Sequence, residues 1–196
     1  MSSIIKDFIE QKDINSYEQL IDALSSSSFS ELRSIVVKCD ELPITAANIP
    51  QYSNYDNATV NIISSLRKSG NFGPDFLEVG RHYLISNRSE WAYQKYGENH
   101  SKTAAELGLA TIKKEDTQRV YLSRLGLLVE QKGLDIQKDL IFKLAIGIPI
   151  IQKFIKVNLQ DKNQIIPIML DYLSETTAKR RLNNCWCLYV PFLERD

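Results

Sequence analysis

Apolar residues recur at spacings of three and four over residues 3–11, 16–25 and 29–38, with Ile5, Phe8 and Ile9 followed by Leu20, Ile21 and Leu24. That period lines one side of an α-helix and predicts three short helices. Ser16 and Ser30 stand where N-caps belong, and the serine run Ser25–Ser28 punctuates the chain between the second helix and the third. After Pro43 the rhythm changes. "TAANIP", "NATVNIISSLRKSGNFG" and "FLEVGRHYLIS" read as helix, turn, helix and extended segment. A second set follows: "SEWAYQKYG", "ENHSKTAAELGL" and a helix over 117–125 in "DTQRVYLSRLG", then "LLVEQ" as an apolar strand. Ala104, Ala105, Leu107, Val120, Tyr121 and Leu125 supply its buried faces, and Gly97, Gly108 and Gly126 mark expected helix stops.

Residues 136–157 are apolar helix with a break enforced at Gly147 and Pro149. The chain closes with "QIIPIMLDYL", a turn at Ser174 and Glu175, and the helix "TTAKRRLNNCWCLYV". Three stretches thus share one order of elements without sharing letters. The expected fold is mainly α, built from tandem winged-helix-like units, each a helix-turn-helix with a small β wing. Its expected divisions are an N-terminal helical segment at 1–41, winged-helix-like units at 42–88 and 89–133, and a C-terminal helix-turn-helix unit at 134–196.

Composition adds limits. In 196 residues, 43% hydrophobic content suffices for a sizeable core. No apolar run reaches the roughly 20 residues needed to cross a bilayer, the N-terminal segment is acidic, and three cysteines (Cys39, Cys185, Cys187) fit reduced thiols, so a cytoplasmic protein without a membrane partner is expected. Net charge is zero, but residues 1–60 carry 4 Lys/Arg against 9 Asp/Glu, and residues 61–196 carry 20 against 15. The balance permits nucleic-acid binding without requiring it.

On the last helix, Ala178, Leu182, Cys185, Trp186 and Tyr189 fall on one face, and Thr176, Thr177, Arg180, Arg181, Asn183 and Asn184 on the other. Arginine pairs two donors with guanine, asparagine pairs with adenine, and lysine and threonine suit phosphates. The same residues also suit an ordinary solvated helix face. In "KYGENHSKTAAELGL", Glu98, Asn99, His100 and Lys102 either meet a nucleic-acid backbone or shape a corner after Gly97. Expected phosphate contacts are Arg67, Lys68, Lys102, Lys113, Lys114, Arg119, Lys179, Arg180 and Arg181, with base reading by Thr177, Arg180, Arg181 and Asn184.

Other chemistry is poorly supported. Cys185 and Cys187 lack a second ligand pair for zinc, and His82 and His100 have no metal-ligand spacing. Glu130 and Lys132 after "LLV", with Asp116 upstream, carry a third reading behind the two below, a Mg²⁺-dependent nuclease. However, Asp116 reads as a helix start rather than a strand end, and Asp75 has no matching downstream pair. No Gly-rich phosphate loop or G-x-S-x-G elbow occurs. No metal, cofactor or catalytic residue is therefore expected.

"AYQKYGENHSKTAAELGL", "RVYLSRLG" and "LSETTAKRRLNNCW" resemble helix-turn-helix and winged-helix segments of bacterial restriction-modification and related defence proteins, including DNA-recognition parts of restriction endonucleases. The resemblance covers residues 42–192, and its last motif falls on Thr177, Arg180, Arg181 and Trp186. Without a nuclease core it implies sequence-specific binding of double-stranded DNA rather than cleavage, as a recognition module or regulator of such a system. The competing expectation is a protein-protein adaptor of degenerate winged-helix units, docking a partner subunit or a second copy through the apolar 140–157 segment.

Overall fold

A computed structural model describes residues 8, 12, 14–51, 55–70, 72–83 and 87–193. Among the described residues the fold is mainly α-helical with one two-stranded antiparallel sheet. The helix expected over 3–11 lies outside the described residues except for Phe8, which is helical and buried.

Helix α1 (Tyr17–Ser26) starts at Ser16, whose side chain accepts from the Gln19 amide, and buries Leu20, Ile21 and Leu24. Helix α2 (Phe29–Lys38) is capped by Ser28 rather than Ser30, with the Ser28 hydroxyl accepting from the Glu31 amide. After a 3-10 turn at Ala46–Asn48 comes α3 (Tyr55–Lys68), whose buried face carries Ile62, Ile63 and Leu66.

The described part of "FLEVGRHYLIS", Phe76–Tyr83, is helix α4 and not extended. Its cause is a reciprocal cap in which the Asp75 carboxylate accepts from the Glu78 amide and Glu78 accepts from the Asp75 amide, both at 2.8 Å. Ser89 caps α5 (Glu90–Glu106), which continues through Gly97 instead of stopping there. Gly97 is needed for packing: a Cβ at that position would lie 1.9 Å from the Phe76 carbonyl oxygen, and one at Gly80 would lie 1.8 Å from that of Tyr93. Two glycines thus allow α4 and α5 to cross backbone to backbone. Gly108 does end α5, at φ 75, with the Leu109 amide bonded back to the Ala104 carbonyl.

Strands β1 (Ala110–Lys114) and β2 (Gln118–Leu122) form the hairpin, with Ile112 opposite Val120. The expected helix over 117–125 is therefore a strand and then a new helix. In β2, Val120 points into the core between the more exposed Arg119 and Tyr121, a period of two that the Val120, Tyr121, Leu125 spacing concealed. "LLVEQ" is not a strand either. Ser123 caps α6 (Arg124–Glu130) through the Gly126 amide, so Gly126 opens this helix rather than ending one.

Helix α7 (Leu134–Leu144) breaks through a 3-10 turn at Ala145–Gly147 before α8 (Pro149–Lys156), as Gly147 and Pro149 predict. Helices α9 (Ile165–Leu170) and α10 (Glu175–Tyr189) close the described fold. Buried side chains from Phe8 to Phe192 belong to one continuous cluster. Within it α3 packs on α5, α6, α7 and β2, while α4 packs chiefly on α5. Helix α3 of the stretch 42–88 thus packs on α5 and α6 of the stretch 89–133 and equally on α7 beyond it. The Val120 amide bonds to the Pro74 carbonyl at 2.9 Å, and Asp75 bridges Arg119, so the segment before α4 lies along the outer side of β2.

Candidate nucleic-acid interface

Helix α10 was the strongest expectation, and its inner and outer faces differ from the sequence reading. Ala178, Arg181, Asn184, Cys185, Leu188 and Tyr189 are buried, while Leu182 and Trp186 are only partly so. The buried stripe is turned by about one residue. Arg181, 8% exposed, donates through one Nη to the carbonyls of Ala46 and Ile49 at 2.8 and 2.9 Å. Its guanidinium clamps the 3-10 turn at Ala46–Asn48 onto α10 and does not face outward to read a base. Asn184 is equally enclosed. Burial, reinforced by Arg180, lowers the Arg181 pKa, and burial raises that of Cys185 to about 12, so this thiol stays protonated. Lys179 and Arg180 point outward, with Lys179 paired to Glu175. Thr177 is half-buried and accepts from the Ser174 hydroxyl at 3.0 Å.

Arg119 is a strut. Its Nε and Nη2 fork onto the Asp116 carboxylate at 3.0 Å each, its Nη1 reaches the Gly73 carbonyl at 2.9 Å, and its guanidinium lies 5.4 Å from the Phe72 ring centre. These contacts fix the hairpin to the segment before α4, and the hydrogen bond from Arg119 holds Asp116 below its ordinary pKa. Asp116 thus sits in a hairpin turn and Glu130 in the last turn of α6, where the Arg67 guanidinium comes within 3.9 Å. Neither carboxylate stands at the end of a strand in a mixed sheet, as the nuclease motif would require. Among the described residues no three His, Cys, Asp or Glu side chains come together in a metal-binding group.

The outward side of α5 and the hairpin are continuous in sequence and contain the exposed candidates Lys102, Lys113 and Lys114. Trp91, Gln94, Lys95, Glu98 and Lys102 follow one helix face, and Trp91 is 71% exposed. Sequence reasoning singled out none of Trp91, Gln94 and Lys95. The available signal was Ser89 as an N-cap, which makes residues 90–95 the first turns of a helix with an exposed tryptophan. Glu98 bridges Lys95 at 2.8 Å and Lys102 at 2.6 Å, and those hydrogen bonds, Lys102's first, depress its pKa. Glu98 and Asn99 therefore lie in mid-helix, not at a helix start. Lys113 lies 4.8 Å above the Tyr121 ring and Lys114 is exposed beside it. Arg67 and Lys68 end α3.

Behind this face His100 is buried with its ring centre 4.0 Å from that of Tyr96, and burial lowers its pKa to about 4. It is neutral at neutral pH and absent from the surface. Residues 55–122 hold nine Lys/Arg and eight Asp/Glu, so any field over the interface is local.

No family model, curated protein or solved structure matches the chain. No helix among the described residues is long and apolar enough to cross a membrane.

Proposed function

We propose that residues 55–122 form a winged helix that binds double-stranded DNA. The observation carrying this reading is the order and packing of its parts: α3, the short bridge at Asp75, α4, α5, and then the β1–β2 hairpin laid against that bridge. In this arrangement α5 enters the major groove and the hairpin follows the adjacent backbone. Gln94 and Lys95 are the base-reading side chains, and Trp91 provides an apolar surface for thymine methyl groups. Lys102, Lys113 and Lys114 are phosphate contacts, with Lys102 exchanging its bond to Glu98 for one to DNA. Arg119 orients the wing without touching DNA. Arg67 and Lys68, at the end of α3, and Thr177, Lys179 and Arg180, on α10, have no role in this reading.

The setting proposed is the one implied by the sequence resemblance, a recognition module or regulator of a restriction-modification-type system. Fluorescence anisotropy with a labelled random duplex tests the binding. Micromolar affinity at about 50 mM salt is expected, weakening with a log–log slope of about 0.9 for each phosphate contacted.

A second reading rests on the Glu98 pairing and the exposed Trp91. Lysines already neutralised, around a solvent-facing tryptophan, also describe the centre of a protein-docking surface. Absence of duplex binding at about 50 mM salt transfers the same face to that role.

A further inference from the structure

We propose that a cleft between the end of α3, the end of β2 and the start of α6 binds a small organic anion with an apolar body. The cleft is open to solvent and has a volume of about 200 Å³. Leu66, which is almost fully buried, and the half-buried Leu122 and Leu127 are its apolar lining residues, and Arg67 and Arg124 also line it. Gly70 adds no side chain to fill it; at φ 62 it ends the turn after α3, with nothing within 4 Å of where a Cβ would stand. The volume exceeds that of a single water, about 30 Å³, and compares with the roughly 150 Å³ that accommodates benzene in an engineered cavity. One ring or a short aliphatic chain is therefore the appropriate size.

The charge comes from two arginines on different elements that line the cleft. Both side chains are about half exposed, Arg67 at 53% and Arg124 at 58%. Arg124 uses Nη2 on Glu18, and the Arg67 Nε stands 3.9 Å from Glu130, too far for a hydrogen bond. A guanidinium has five N–H donors in a planar fork, so these outer carboxylates leave both arginines able to grip a carboxylate or phosphate bidentately. Ser123, also on the wall, is committed elsewhere: its hydroxyl donates to the Gly108 carbonyl and accepts from the Gly126 amide. Anchoring therefore falls to the arginines and selectivity for an apolar body to the leucines. The inference does not rest on DNA binding: of the hairpin, Leu122, the last residue of β2, lines the cleft, and the proposed DNA contacts do not.

The test titrates the full chain with sodium benzoate, phenyl phosphate and the neutral control benzyl alcohol, following the amide resonances of Gly70, Ser123 and Leu127 by NMR. At least one anion should give saturable shifts in the millimolar range, as ligands of this size allow. Benzyl alcohol should bind about tenfold more weakly, because it cannot form the charge-assisted pairs. Which anion saturates tells a carboxylate site from a phosphate site. Affinity should fall about tenfold in the Arg67→Gln/Arg124→Gln double variant. Leu127→Phe, which fills the cleft and keeps both arginines, should also weaken binding. Lack of saturation by both anions below about 20 mM, equal affinity for benzyl alcohol, or unchanged affinity in either folded variant overturns the proposal.

Discussion

Replacing Arg181 by alanine separates a structural clamp from a surface contact. In the folded protein this side chain is 8% exposed and gives two hydrogen bonds, at 2.8 and 2.9 Å, to the carbonyls of Ala46 and Ile49. Each bond from a charged donor contributes about 1.5–3 kcal/mol, and the Ile49 carbonyl would be left buried without that donor. Against this, alanine removes a guanidinium whose transfer from water costs several kcal/mol and whose Nε has no hydrogen-bond acceptor. The net expectation is a loss of about 2–4 kcal/mol, larger than the roughly 0.5 kcal/mol typical of an exposed position such as Arg180. Urea unfolding followed by circular dichroism measures both. Arg181→Ala should lower the midpoint markedly at unchanged slope, and Arg180→Ala should barely move it. Equal midpoints for the two variants would refute the clamp and restore Arg181 to the surface.

Gly97→Ala improves intrinsic helix propensity by about 1 kcal/mol, yet it should destabilise by about 1–3 kcal/mol, because its methyl group collides with the Phe76 carbonyl; Gly133→Ala, with nothing within 4 Å, is the control in the same thermal melts. His100 takes a proton in the unfolded chain near pH 6.5 but in the folded chain only near 4. Its stabilising contribution is therefore complete above pH 6.5 and is lost as pH falls towards 4. That loss should reach about 2 kcal/mol between pH 7 and pH 5 in urea titrations and vanish in a folded His100→Phe variant. Burial raises the pKa of Glu106, while Asn48 donates to its carboxylate at 3.3 Å. Glu106→Gln keeps that bond and removes the charge, so it should unfold at higher urea than the parent at pH 7, with the advantage shrinking as pH is lowered; a lower midpoint at pH 7 would contradict the burial argument.

Periodicity exposed the elements in which a single face dominates. Leu20, Ile21 and Leu24 marked α1, and the break between α7 and α8 was carried by Gly147 and Pro149, whose backbone effects are local. Residues 76–83 and 118–130 were misread because short apolar runs fit both periods. Local caps, the reciprocal Asp75–Glu78 pair and Ser123, start the two helices, and pairing with β1 and Pro74 makes 118–122 a strand. Gly97 looked like a helix stop because close passage of a second backbone leaves no trace in spacing. Arg181 looked exposed because its acceptors, the carbonyls of residues 46 and 49, lie more than a hundred residues away and belong to the main chain. The same rotation of α10 buries Arg181 and Asn184 and leaves Lys179 and Arg180 exposed, while on α5 the Ser89 cap and the exposed Trp91 were legible marks.

The central claim is that DNA is read by α5 and not by α10. Anisotropy with one labelled duplex, comparing Gln94→Ala/Lys95→Ala on α5 with Lys179→Ala/Arg180→Ala on α10, tests it most directly. The account predicts about a tenfold or greater loss of affinity for the α5 variant and less than about a twofold change for the α10 variant, with both proteins folded. The reverse ranking, or equal losses in both, would contradict it.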